Sequence, residues 1–452
     1  MKFSRKAWLF IIVIVLFVIF SFSWIKEKKV KRVNVIFILV DALRYDHLSC
    51  YGYFRDTSPN IDNLARSSLL FTQAISPSTV TVVSLPSLFT STLVRHLVSH
   101  WTASLNTETL TLAEVFKREG YRTAFLSGHG IIGKVNGLSR GFDEFLDDRK
   151  LTAPLLTSKG IQWIESNSSH PFFLYLHYMD VHGPYRPPSP YNSIFFKDRF
   201  YKEIKRLPLS QTDEGDNAIP QYIYEDGHEE VGYYIAQYDG GIRFTDEYIG
   251  KLLNYLKDSG IYDDTLIVFT ADHGEYLGEH GKYFVHGGPP WETVIKVPLL
   301  IKLPYQKKGR IVTSMVSTMG IAPTILSFLN FPVPSTMEGK SFVALLKKNT
   351  EYYSSPVISI SGNPARSSWY VSLRTEEFKV IHGGVKGKEF TAFYNLLGDP
   401  GERVALGEEK IPPGLLSLLK KKEKEMHETL RFSISKLDEE TRKRLRGLGY
   451  VQ

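Results

Sequence analysis

Apolar residues follow two distinct rhythms along this chain. Asn34-Val35-Ile36-Phe37-Ile38-Leu39-Val40 and Thr265-Leu266-Ile267-Val268-Phe269-Thr270 are nearly unbroken β-branched and aromatic runs, the pattern of parallel strands buried on both faces. Residues 121–127 and 172–179 read as further strands, and the helical spacing of apolar positions predicts helices over 58–68, 108–119 and 229–258. Strands that alternate with helices in this way predict an α/β fold, a layered αβα sandwich around a mostly parallel, doubly wound sheet. Residues 186–228 are rich in Pro, Asp, Tyr and Lys with no steady period, which predicts a long surface insertion suited to a substrate mouth. Beyond about residue 340 the rhythm shortens to strands at 356–360, 369–374, 378–382 and 391–396, and a charged helix follows over 413–430. A smaller C-terminal α+β subdomain is expected there.

One stretch obeys neither rhythm. Residues Ala7 to Ile25 are apolar without a single charge, and at helical rise they span roughly 28 Å, close to the ~30 Å hydrocarbon core of a bilayer. Lys2, Arg5 and Lys6 precede the run and Lys26, Lys28, Lys29, Lys31 and Arg32 follow it, so the flanking charge gives no clean orientation. The run exceeds the usual signal-peptide core of about 7–15 residues. The expectation is an uncleaved, single-pass N-terminal transmembrane anchor over 1–32 with an extracytoplasmic catalytic domain over 33–340 and the C-terminal subdomain over 341–452.

The formal charge of +7 belongs to that anchor: residues 1–32 hold eight Lys/Arg and one Glu, and the remaining chain carries 47 basic and 47 acidic groups. A neutral body removes the global electrostatic case for a nucleic-acid partner. The single cysteine, Cys50, excludes an intramolecular disulfide framework.

The candidate chemistry lies where the buried strands end. The run 265–270 delivers Asp272 and His273 onto a Gly turn, and the run 34–40 delivers Asp41. Acids at the carboxyl ends of parallel strands, with an adjacent imidazole, are the ligands expected of a divalent metal ion. Between them in sequence, Thr81-Val82-Val83-Ser84-Leu85-Pro86-Ser87-Leu88-Phe89-Thr90-Ser91 is a hydroxyl-rich segment leading into an apolar helix. A hydroxyl at a helix N-terminus beside a cation is placed to lose its proton, and the transferred anion meets free N–H groups. Isolated histidines in Gly/Pro loops are ordinarily surface groups, so His182, His286 and His129 gain meaning only from their surroundings.

Those surroundings carry a family resemblance. Asp41, the Thr81 segment, Asp272-His273-Gly274-Glu275, Gly278-Glu279-His280-Gly281, His182-Gly183-Pro184-Tyr185 and Val297-Pro298-Leu299-Leu300-Ile301 together resemble the sulfatase family of the alkaline-phosphatase superfamily. The family signature Cys/Ser-x-Pro-Ser-Arg-x-x-x-Leu-Thr-Gly sets on this chain without gaps, with Thr81 at the nucleophile and Ser84 at the motif serine. Sulfatases oxidise a Cys or Ser there to formylglycine, a modification not expected of the branched Thr81. Leu85 replaces the motif Arg and Ala42 a common second Asp. A Thr nucleophile, Thr-x-x-Ser-x-Pro at 81–86, the pair His177 and His182, and Val285-His286-Gly287 are similar instead to the phosphoethanolamine transferases of the same superfamily.

The resemblance implies a metal-dependent hydrolase of phosphate or sulfate esters acting through Thr81 and a covalent phospho-threonine intermediate, with phosphodiester or phosphoester substrates favoured. The alternatives are a sulfatase proper, a membrane head-group phosphotransferase, or an inactive polymer-binding relative. Asp41, Thr81, Asp272 and His273 are expected to hold the ion (Zn²⁺, Mn²⁺, Ca²⁺ or Mg²⁺). His182, His286 and His129 are expected to act on the transferred group. His177, Asp180 and His280 are expected to orient these groups or hold a second ion. The ester substrate is expected to be lipid or glycan linked.

Overall fold

The computed structural model describes residues 33–93, 105, 108–130, 132, 137–196, 205–211, 215–347, 354–363 and 368–435. The expected anchor at 1–32 lies outside them; among the described residues no helix is long and apolar enough to cross a membrane.

The strands are β1 (Asn34–Val40), β2 (Leu69–Ile75), β3 (Arg122–Ser127), β4 (Glu144–Asp147), β5 (Phe172–Tyr178), β6 (Thr265–Thr270), β7 (Tyr276–Leu277), β8 (Tyr283–Val285), β9 (Lys296–Lys302), β10 (Arg310–Val312), β11 (Val316–Ser317), β12 (Val357–Asn363), β13 (Ser368–Arg374), β14 (Phe378–Val385) and β15 (Lys388–Asn395). The large sheet runs β10-β2-β9-β6-β1-β5-β3-β4, with β11 also on β2. Strands β6, β1, β5, β3 and β4 are mutually parallel. β9 is the exception, antiparallel to both β6 and β2. The reason is local: after β6 the chain stays at the carboxyl edge, forming the β7–β8 hairpin and the short helix Glu292–Ile295. It must therefore re-enter the sheet in the opposite direction.

Alternation along β5 separates the two covering layers. Phe173 and Tyr175 meet an aromatic layer built on Phe89, Phe116 and Phe142, which carries the helices Thr81–Thr90 and Leu112–Arg118. Leu174 and Leu176 face the helix Ala153–Asn167, where Gly160 lets the backbones approach: a Cβ there would lie 3.2 Å from Leu176 Cδ2. That helix packs on the long helix Val231–Asp258. Leu112–Arg118 starts on a capping box, Glu114 N–H donating to Thr111 Oγ1 (3.1 Å) and Thr111 N–H to Glu114 Oε2 (2.9 Å).

The C-terminal sheet β12-β13-β14-β15 is antiparallel, and the helix Pro413–Ser435 packs on β13. Ile360 N–H donates to Pro77 O (2.9 Å) and Ser359 Oγ to Ser76 O (2.6 Å), so β12 braces the loop before Thr81. A buried ionic cluster completes the joint: Glu292 takes Arg374 from β13 and Lys379 from β14, each at 3.3 Å, and Lys379 reaches Glu402 at 2.7 Å.

Candidate active site

Four adjacent parallel strands set the site, because their carboxyl ends lie side by side in the order β6, β1, β5, β3. β1 ends at Asp41, whose N–H continues the ladder to Tyr178 O (2.9 Å). β6 is followed by Asp272 and His273. The turn after them requires a glycine: Gly274 N–H donates to Val294 O (2.7 Å), and a Cβ on Gly274 would lie 2.3 Å from Thr293 O. Thr81 opens its helix with its side chain turned to the strand ends.

These residues converge. Thr81 Oγ1 donates to Asp41 Oδ2 (3.3 Å) and lies 3.1 Å from His273 Nε2. Ser84, the motif serine, donates to Asp272 Oδ2 (3.2 Å). Asp41, Asp272 and His273 bring one ligand atom each within 4.8 Å of one another, all buried. The arrangement fits a cation: Asp41 Oδ1 is buried without a hydrogen-bond partner, and two carboxylates crowd one dry site. Burial and the charge of Asp41 push Asp272 up to about 7. Asp41 itself is held well below the usual carboxylate range, where burial opposes ionisation and the His177 hydrogen bond and neighbouring imidazoles outweigh it. Burial and the charge of His286 push His273 down to about 3, so it is a neutral imidazole ready to ligate. Two carboxylates, an imidazole and a hydroxyl form a donor set that fits a divalent cation.

The remaining histidines divide. His286 stacks near His273 with ring centroids 4.4 Å apart, and its Nδ1 lies 3.2 Å from Glu275 Oε1. Burial opposes its charge, but buried Glu275 overcomes this and raises His286 to about 8. His182 lies 5.0 Å from His286 between ring centroids, with Nδ1 engaged 2.7 Å from Gly183 O. Both therefore keep Nε2 for a ligand. His177 Nε2 contacts Asp41 Oδ2 at 3.0 Å and so aims that carboxylate. His129, pushed down to about 4 by burial, lines the cavity 6.0 Å from His177 between ring centroids. Asp180 also lines it, but accepts Ala153 N–H at 2.9 Å and so caps the helix Ala153–Asn167. His280 stands away from this group, stacked on Trp291 at 3.8 Å.

Two residues to which the sequence pattern assigns no role, Glu275 and Arg44, also shape the site. Arg44 clamps Asp46 and Glu279 (each 2.7 Å) and donates to Glu275 O (3.2 Å), locking the turn after β1 to the segment after β6. The cavity over Thr81 has a volume of about 1110 Å³ and is lined in part by the 186–228 insertion, through Arg186, Pro187 and Tyr222. Arg149, Lys282 and Lys386 add positive charge to its wall.

The family model for sulfatases matches residues 33–331. The chain belongs to the sulfatase family. A second model, the C-terminal region of N-sulphoglucosamine sulphohydrolase, matches residues 278–429. An N-acetylglucosamine-6-O-sulfatase from Bacteroides thetaiotaomicron is 25% identical over 83% of each chain. An ulvan-active sulfatase from Formosa agariphila is 27% identical over 70% of this chain and 65% of its own. Among solved structures, a protein in complex with its substrate D-glucosamine-2-N,6-O-disulfate superposes with a TM-score of 0.69 at 20% identity, covering 88% of this chain and 99% of the other. The phosphonate monoester hydrolase of Agrobacterium radiobacter also gives 0.69 at 20%, over 89% and 96%. These likenesses establish the alkaline-phosphatase-like fold.

Proposed function

We propose that this sulfatase-family hydrolase cleaves a sulfuric ester borne on a saccharide, with Thr81 as the nucleophile. The substrate class follows the relatives, which are named for sulfated sugars and ulvan; they back sulfate esters over the phosphodiester preference expected from Thr81 alone. The catalytic part rests on one observation, the convergence of Thr81 Oγ1 with Asp41 Oδ2 and His273 Nε2.

Asp41, Asp272 and His273 would hold the divalent ion. When bound, it would supply a lowered pKa for the Thr81 hydroxyl and offset charge on the transferred group. Thr81 Oγ1 passes its proton to Asp41 Oδ2, the acceptor of its hydrogen bond, and attacks in line, forming an O–S bond as the ester S–O bond breaks. His286, kept protonated by Glu275 on Nδ1, donates from Nε2 to the leaving oxygen. His182 binds the non-bridging oxygens, and the helix N-terminus at Thr81 favours the same negative charge. Water then attacks sulfur as the Thr81 O–S bond breaks and sulfate leaves; Thr81 recovers its proton from Asp41, and the proton lost by the water restores His286.

Thr81 itself favours a second reading, phosphoryl transfer. Its branched Cβ is not expected to become the formylglycine of sulfatases, and Leu85 removes the motif arginine. On this reading phosphorus takes the place of sulfur and the acceptor is water or a head-group alcohol. Membrane attachment through 1–32, with the catalytic domain extracytoplasmic, belongs to the proposal on the strength of the apolar run 7–25.

The test is turnover of matched aryl sulfate, phosphate monoester and phosphodiester substrates with Mn²⁺, Zn²⁺, Mg²⁺ or Ca²⁺, beside Thr81→Ala. Sulfate turnover lost in Thr81→Ala supports the first reading, and phosphoester turnover lost there supports the second. Turnover that survives the substitution rejects Thr81.

A further inference from the structure

We propose that Tyr238 is a positioning residue for Asp41, acting through the strained backbone of Ala42; the proposal rests on the reading of Asp41, Asp272 and His273 as metal ligands. Ala42 follows Asp41 directly and holds φ at +55°, in the left-handed region that non-glycine residues seldom occupy. Its own side chain is a methyl group and cannot hold that conformation by bonding. Two polar partners do. Ala42 N–H is directed at Asp272 Oδ1 at 3.4 Å, and Ala42 O accepts the Tyr238 hydroxyl at 2.7 Å. The same hydroxyl accepts Arg44 N–H at 2.9 Å, so a single oxygen ties down both sides of the turn.

Tyr238 is fixed in its own right. It is fully buried in the 28-residue helix Val231–Asp258, with its ring edge-on to His47 (5.3 Å) and Tyr185 (5.5 Å). The next residue, Asp239, takes His47 Nδ1 at 2.6 Å, the Tyr53 hydroxyl at 2.7 Å and Arg55 at 2.6 Å. Consecutive residues of one rigid helix therefore grip the 42–44 turn and the 47–55 segment. The φ of Ala42 determines how the chain leaves Asp41, so the tether presets the direction of a carboxylate that must meet Asp272 and His273.

The experiment measures Mn²⁺ or Zn²⁺ affinity of the full chain by calorimetry, with turnover alongside. Tyr238→Phe leaves the helix packed and removes the tether; Ala42 relaxes and the Kd rises about tenfold, the scale set by the left-handed penalty of one residue. Ala42→Gly in the Tyr238→Phe background abolishes that penalty and restores affinity, which lost packing alone would not allow. Ala42→Val, bulkier at the same φ, weakens binding with Tyr238 intact and serves if Tyr238→Phe does not fold. Unchanged affinity in Tyr238→Phe, or in Ala42→Val, overturns the proposal, as does a loss that Ala42→Gly leaves in place. Asp41→Asn separates the two levels: wild-type affinity there rejects the metal site itself rather than the role of Tyr238.

Discussion

Glu292 should be the acid-labile link between the C-terminal sheet and the catalytic body. Its carboxylate is buried, and although burial opposes ionisation, Lys379 and Arg374 overcome it and hold Glu292 at about 2 against an ordinary 4.5. A depression of that size corresponds to about 3 kcal/mol of folding stability at neutral pH, in line with the cost of breaking a buried ion pair. The sign follows from the direction of the shift. The contribution is complete above pH 4.5, where the unfolded chain is also ionised, and disappears as pH falls through about 2. Glu292→Gln should therefore lower stability by about 3 kcal/mol at pH 7, with the gap to wild type narrowing once pH drops below 4.5. Denaturant unfolding followed by tryptophan fluorescence suits the test, because Trp291 precedes Glu292 and Trp369 lies on β13. A gap under about 1 kcal/mol at pH 7, or one that stays constant down to pH 2, would refute the reasoning. The link matters to the site because Ser361 on β12 bonds Thr79 Oγ1 (2.5 Å) and Gly287 O (3.1 Å), the neighbours of Thr81 and His286.

Gly274→Ala should displace His273, since the new Cβ would meet Thr293 O at 2.3 Å; the expected outcome is at least a tenfold loss of metal affinity by calorimetry, and an unaltered Kd would show that the turn adapts. Removal of residues 1–32 should shift the protein from the membrane to the soluble fraction on ultracentrifugation while aryl-ester turnover continues. A truncated protein that still sediments with membranes would contradict the anchor.

Legibility tracked how locally each feature is encoded. β1 and β6 are uniformly apolar because both faces are covered, so their runs stand out. β2 was not read as a strand: its pattern is broken by half-buried Thr72 and Gln73, where the register against β9 shifts between Phe71 and Ala74. The helix Ala153–Asn167 was also unread, and Gly160 in its middle weakens the helical signal while serving close packing on β5. Within the site, Asp41, Thr81, Asp272 and His273 were legible as strand-end and helix-start residues. Asp180 was read as part of the same chemistry, and its cap on a helix could not be foreseen while that helix was unread. Tyr238 carries no local signal at all, since its contact with Ala42 spans 196 residues and depends on the register of the long helix.

The central claim is that Asp41, Asp272 and His273 form one metal centre beside the Thr81 hydroxyl. Metal content of the purified full chain, measured by inductively coupled plasma mass spectrometry with Asp41→Asn and Asp272→Asn in parallel, tests it most directly. The account predicts about one divalent ion per wild-type chain, the number this ligand set accommodates, and near-complete loss in both variants with the fold retained by circular dichroism. Full metal occupancy in either variant would contradict it.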